Sequence, residues 1–106
     1  VCSSDLFMSK IIINEGNYEG ALKYLKNSDL HSKLLKNPHE IGIVYMVKAQ
    51  IKNEMKNNDN LNKIFNIYLN ENLQFYCKNS IKFLTSSKDN YEINLLNTLM
   101  NKDNIL

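Results

Sequence analysis

The sequence predicts an all-α fold, five to seven helices stacked as antiparallel hairpins. Three observations carry this expectation. Apolar residues recur at i, i+3, i+4, i+7, the spacing of one helix face, most clearly at Tyr18, Ala21, Leu22 and Leu25. Asn37-Pro38-His39-Glu40 has the form of a helix start: a capping carboxamide, proline at the first helical position and an acid three after the cap. The chain holds only three glycines and one proline, and no Asn-Gly or Asp-Gly dipeptide, so a β-hairpin reading lacks its turns.

Met8 to Ile13 is apolar and β-branched enough to pass for a strand in isolation. Gly16 followed by Asn17 instead suggests the end of one helix and the cap of the next. In that next helix Glu19 and Lys23 are placed for an i, i+4 ion pair. Ser28-Asp29 is read as the cap of a short segment through Leu30, Leu34 and Leu35. After Pro38 a helix is expected to about Asn57, with Ile41, Val44, Lys48, Ile51 and Met55 on one face and Ile43, Val47 and Ala49 on another. Apolarity on two sides implies packing between neighbours. Asp59 is expected to cap a helix bearing Leu61, Ile64, Phe65 and Tyr68. Asn70-Glu71-Asn72 is expected to break or kink the helix, with a helix running through it as the alternative, and Leu73, Tyr76, Cys77, Ser80, Ile81 and Leu84 form a helical stripe. A turn is expected over Ser86–Asn90, and Leu95, Leu96, Leu99 and Met100 close the chain with a last helix.

Composition excludes several classes. With 43% hydrophobic and 23% charged residues over 106 positions, the chain has the balance of one small globular domain. A net charge of +2, all of its basic side chains lysine, gives little reason to expect nucleic acid. Lys78 and Lys82 around Tyr76 are too sparse a basic patch to change that. Arginine, the usual residue for bidentate phosphate recognition, is missing from the sequence. Heavy use of Asn, Lys, Ile and Tyr fits a low-GC coding source. The longest apolar run, Ile43–Val47, falls far short of the roughly 20 residues that cross a bilayer. No secretory leader is evident, and Cys2 and Cys77 lack metal or disulfide spacing, so a cytoplasmic protein with reduced thiols is expected. Val1-Cys2-Ser3-Ser4-Asp5-Leu6 matches the in-frame translation of a sequencing-adapter oligonucleotide. It is set apart from fold reasoning, with the helical domain expected over 7–106 and truncated at its N-terminus.

Gly16-Asn17-Tyr18-Glu19-Gly20-Ala21-Leu22-Lys23-Tyr24-Leu25 resembles the turn and second helix of a tetratricopeptide repeat. In that pattern Gly16 permits the turn, Tyr18 fills the wedge between helices and Ala21 lets two helices approach. Ser80-Ile81-Lys82-Phe83-Leu84 is a weaker echo. Gly16, Tyr18, Ala21, Leu25, Ser80 and Phe83 are the repeat-packing residues the resemblance implies. The 59 positions between Ala21 and Ser80 do not make one repeat of about 34 residues, so degenerate repeats or an added helix are expected. Ile41–Lys52, Phe75–Phe83, Lys88-Asp89-Asn90-Tyr91 and Leu95–Met100 are similar to the C-terminal region of bacterial and phage peptide-pheromone receptors, regulators related to Rap and PlcR, and among them the arbitrium receptors. The resemblance implies a short peptide as ligand. It also implies a helix-turn-helix N-terminal to this region, so DNA would be contacted only through a domain missing from this chain.

Met46, Gln50, Asn53 and Asn57 form a stripe at i, i+4, i+7, i+11. Resembling receptors grip peptide backbone with carboxamides, which makes this stripe the candidate peptide-binding surface. The plainer reading is a solvated helix face. His31 and His39 lack partners at ligand spacing and read as surface histidines. Cys77 lies on an apolar stripe and reads as a small buried hydrophobe. Glu15, Glu19 and Glu40 suit helix N-termini without any chemistry. No catalytic residue, metal site or cofactor is expected. The partner is a short peptide or another protein, with no membrane and with a homodimer as one option. A generic repeat scaffold for protein–protein interaction is the alternative function.

Overall fold

A computed structural model describes residues 16–87 and 96–100, and every regular element among them is helical. Helix α1 spans Tyr18–Leu35, α2 Pro38–Met55, α3 Asp59–Phe65 and α4 Leu73–Ser87, and residues 96–100 are helical as well. The all-α expectation therefore holds. The expected features at Val1–Leu6, Met8–Ile13, 88–91 and Leu95 lie outside the described residues.

Each of the four helices α1–α4 starts at an asparagine. Asn17 accepts from the Gly20 N–H at 3.1 Å, with Gly16 before it in the left-handed region at φ 88°. Asn37 accepts from His39 and Glu40 N–H at 3.0 and 3.4 Å, and Pro38 occupies the first turn, where no backbone donor is needed. Asn58, not Asp59, caps α3, accepting from Leu61 N–H at 3.1 Å. Asn72 accepts from Phe75 N–H at 2.8 Å as α4 begins.

Helix α1 does not stop at Ser28-Asp29. It runs on to Leu35, and Ser28, Asp29 and Ser32 are buried while Leu30, Leu34 and Leu35 face outward at 62%, 71% and 52% exposure. The buried stripe is Ala21, Leu25, Ser28, Asp29 and Ser32, which keeps one helical face inward throughout. Lys36 ends the helix in the left-handed conformation, its N–H donating back to Ser32 and Lys33 carbonyls. Helix α3 also differs from expectation, stopping at Phe65 so that Tyr68 lies in the turn after it. Helix α4 continues through Ser87, where the sequence had suggested a turn from Ser86.

Helix α2 lies between α1 and α4 and runs antiparallel to both. Asp29 of α1 meets Lys48 of α2, and Tyr18 at the start of α1 meets Asn58 just past the end of α2. On the other side Gly42 meets Ser80 and Leu84, while Lys52 donates to the Leu69 carbonyl just before α4. The α2–α4 pairing is the most extensive in the fold. It is close because Gly42 carries no side chain: a Cβ there would stand 2.7 Å from Leu84 Cγ. Ser80 Oγ donates to the Gly42 carbonyl at 2.6 Å across this contact. Val44, Ile51, Met55, Leu61, Phe65, Leu69, Leu73, Cys77, Leu84 and Leu96 fill the interior. Among the described residues no helix is long and apolar enough to cross a membrane.

Candidate functional site

The buried polar cluster between α1 and α2 is built from residues the sequence reading assigned to other tasks. Asp29 projects from the inner face of α1. Lys48 projects from the apolar face of α2 and donates to Asp29 Oδ2 at 2.7 Å. Tyr68, from the turn after α3, donates its hydroxyl to the same oxygen at 2.6 Å. Lys33, one turn beyond Asp29, approaches Oδ1 at 3.4 Å from a mostly exposed position. The Lys48 ammonium also stands 5.0 Å from the Tyr45 ring centre and 5.2 Å from that of Tyr68.

Burial alone would raise the Asp29 carboxyl. The hydrogen bonds from Lys48 and Tyr68, with the charges of Lys48 and Lys33, outweigh it and hold Asp29 below its ordinary value. Lys48 also moves down, because burial disfavours its ammonium more than Asp29 restores it. Burial and the hydrogen bond to Asp29 push the Tyr68 hydroxyl far above its usual value, so it stays a donor. This cluster pins three chain segments together. Each of its polar groups is committed to another, which suits alignment of helices better than proton transfer.

Tyr68 has a second face. Its ring walls a groove of about 380 Å³ between α1 and the end of α3, lined also by Leu22, Lys26, Ile64 and Ile67. Lys26 stands 5.6 Å from the centre of the Tyr68 ring. Leu22 and Ile64 are half-buried against the core, while Ile67 is 86% exposed at the lip. The groove continues along α1 into a cleft bordered by Glu19, Lys23 and Asn27. Its volume falls at the low end of the usual ligand-site range of about 300–1,000 Å³, which fits a short segment of chain.

The stripe proposed on α2 lies on the side turned away from α1. Met46 packs against the core, Gln50 and Asn53 are half-buried, and Asn57 is exposed beyond the helix end at Met55. The clefts on α1 and α3 do not include these four residues. Of the repeat-packing set, Ala21, Leu25 and Ser80 are buried, Tyr18 and Phe83 half-buried and Gly16 exposed. Tyr18 reaches past the core so that its hydroxyl accepts from Asn58 Nδ2 at 2.9 Å. Phe83 stacks on Tyr45 with ring centres 5.9 Å apart.

His31 is exposed and His39 half-buried in the first turn of α2, and Cys77 is a fully buried thiol. Among the described residues no three His, Cys, Asp or Glu side chains gather as a metal site. The expected Glu19–Lys23 pair is not among the ion pairs of the described residues, which centre on Asp29. Sequence reasoning missed the Asp29–Lys48–Tyr68 cluster, and the available signal was Lys48 itself, a charge set in the apolar stripe Val44, Ile51, Met55. Compared with known proteins, the chain matches no family model, no curated protein and no solved structure.

Proposed function

We propose that this chain is a non-catalytic, cytoplasmic helical module that binds a short peptide, a regulatory receptor of the quorum-sensing or lysis–lysogeny type that its repeat-like sequence resembles. The observation that carries the reading is the open apolar groove between α1 and α3, whose lip residue Ile67 is 86% exposed. The carboxamides of Gln50 and Asn53 on α2, with Asn57 just past its end, are a second candidate surface for pairing with peptide backbone. The groove wall is also tied to the helix packing. Tyr68 bonds Asp29, which bonds Lys48, so a peptide seated on the ring bears on the α1–α2 contact. A ligand that favours one arrangement of these helices shifts the balance between arrangements, and a DNA-binding domain attached elsewhere would read that shift.

The test is titration calorimetry on the full chain with short peptides encoded beside its gene, widened to sequences selected from a random hexapeptide pool. Binding tighter than roughly 100 µM by at least one sequence is expected, about −5.5 kcal/mol. Failure of every sequence at that level would remove the peptide reading.

A second reading, a protein–protein scaffold without a small effector, is favoured by Leu30 and Leu34. These two leucines lie one turn apart on the outer face of α1, 62% and 71% exposed. A macromolecular partner or a second copy of the chain would cover them.

A further inference from the structure

We propose that the α1–α3 groove selects an acidic apolar segment: one or two aliphatic side chains lie against Leu22, Ile64 and Ile67, and an Asp or Glu side chain beside them meets Lys26 and Lys23. This rests on the peptide-binding reading and adds the ligand's chemistry and its place.

Charge complementarity supports this occupant. Lys33 and Lys48 share the Asp29 carboxylate, whereas Lys23 and Lys26 make no ion pair among the described residues. Lys26 borders the groove itself and Lys23 its continuation along α1, where Glu19 is the one acidic side chain. Lys26 is held over the Tyr68 ring, so its ammonium sits above the apolar wall. The ring is itself held by the 2.6 Å bond from its hydroxyl to Asp29, whose carboxylate is already occupied by Lys48. The wall is thus anchored, and the cation beside it has no carboxylate partner among the described residues, which lowers the ordering needed to bind an anion flanked by apolar groups. A lysine-bearing ligand would meet two ammonium groups and is disfavoured.

The probes are two blocked hexapeptides, Ac-Gly-Leu-Ile-Asp-Glu-Gly-amide and its carboxamide counterpart Ac-Gly-Leu-Ile-Asn-Gln-Gly-amide, titrated into the ¹⁵N-labelled full chain and followed by amide shifts. The acidic peptide is expected to bind about fivefold more tightly, the scale of one partly exposed ion pair, with shifts at Leu22, Lys26, Ile64 and Ile67. Lys26→Gln should abolish that preference, and Ile67→Ser should weaken both peptides without unfolding the chain, since this side chain is 86% exposed. Equal affinity for the two peptides overturns the proposal. Shifts confined to Met46, Gln50 and Asn53 overturn it while leaving peptide binding intact on α2. Silence from both probes at millimolar concentration overturns it too, and the hexapeptide-pool titration then decides the peptide reading separately.

Discussion

Asp29 and Lys48, nineteen positions apart in sequence, meet at 2.7 Å in the seam between α1 and α2, and Tyr68 closes on the same carboxylate oxygen. A charge pair so placed aligns the two helices by one residue from each. The shifts of its members are opposed in effect. Asp29 is better off ionised in the folded chain, while Lys48 is disfavoured as a cation by its burial. The pair therefore contributes register more than net stability, and breaking it from either side has unequal consequences.

Asp29→Ala leaves Lys48 buried with no carboxylate partner among the described residues. It is expected to cost about 3–5 kcal/mol in chemical denaturation. Lys48→Met should cost clearly less, because Asp29 keeps the Tyr68 hydroxyl and Lys33 and the methionine fills the same apolar stripe. The pH dependence follows from the direction of the Asp29 shift. Its carboxyl is held below the ordinary 3.8, so its contribution is present above that value and is lost as pH falls through the lower folded value. Parent chain should therefore lose stability steeply in the acid range below about pH 4, and Asp29→Asn should flatten that limb. An equal cost for the two substitutions would show that the carboxylate is not the shared centre.

Tyr68→Phe keeps the groove wall and removes only the hydroxyl bonded to Asp29. A hydrogen bond to a charged group contributes about 1.5–3 kcal/mol, and a loss of that size is expected at neutral pH. The Tyr68 hydroxyl titrates above its ordinary 10.0 in the folded chain. Its contribution is therefore complete below the unfolded value and is lost as pH rises toward the folded one. Denaturation midpoints measured from pH 8 to about pH 11 should fall more gently in Tyr68→Phe than in the parent.

Two glycines offer a matched comparison. Alanine at either position gains up to about 1 kcal/mol of helix propensity. At Gly42 the new Cβ would stand 2.7 Å from Leu84 Cγ and 3.1 Å from the Leu84 backbone nitrogen, which moves only if α4 moves. Gly42→Ala should therefore destabilise by about 1–3 kcal/mol. At Gly20 the nearest atom is Asn17 Nδ2 at 2.7 Å, the tip of a side chain that can swing away. Losing that cap costs about 1 kcal/mol and offsets the propensity gain, so Gly20→Ala should be nearly neutral. Thermal unfolding of the two variants side by side checks the contrast.

The difference between these sites mirrors what could be read beforehand. The α4 stripe Leu73, Tyr76, Cys77, Ser80, Ile81 and Leu84 was legible because its members are apolar or small at strict helical spacing, and all are buried or half-buried. Asn37-Pro38 was legible because capping is local chemistry. The second half of α1 was not. Ser28, Asp29 and Ser32 prefer caps and turns, and Leu30, Leu34 and Leu35 drew the apolar face to the wrong side. Only a partner nineteen residues away makes Asp29 an interior residue, and no local rule contains that partner. Gly42 was silent for the same reason: the need for a missing Cβ arises from Leu84 across the α2–α4 contact. The groove was hidden because Leu22 and Ile64 read as ordinary core positions until Ile67 is seen to face solvent.

Leu30 and Leu34 carry the last expectation. They project opposite the buried face of α1, so they contribute little to the fold. The double substitution Leu30→Gln with Leu34→Gln should change unfolding free energy by no more than about 0.5 kcal/mol per site. If the outer face of α1 is where two copies meet, the parent should sediment as a mixture that shifts to dimer as concentration rises, and the double variant should remain monomeric across the same range. An isologous contact needs a self-complementary patch, and two leucines one helical turn apart, flanked by Asn27 and His31, can supply its apolar centre with a polar rim. Unchanged association in the double variant would move the dimer contact to another face. A large loss of stability would show instead that these leucines are packed within the chain.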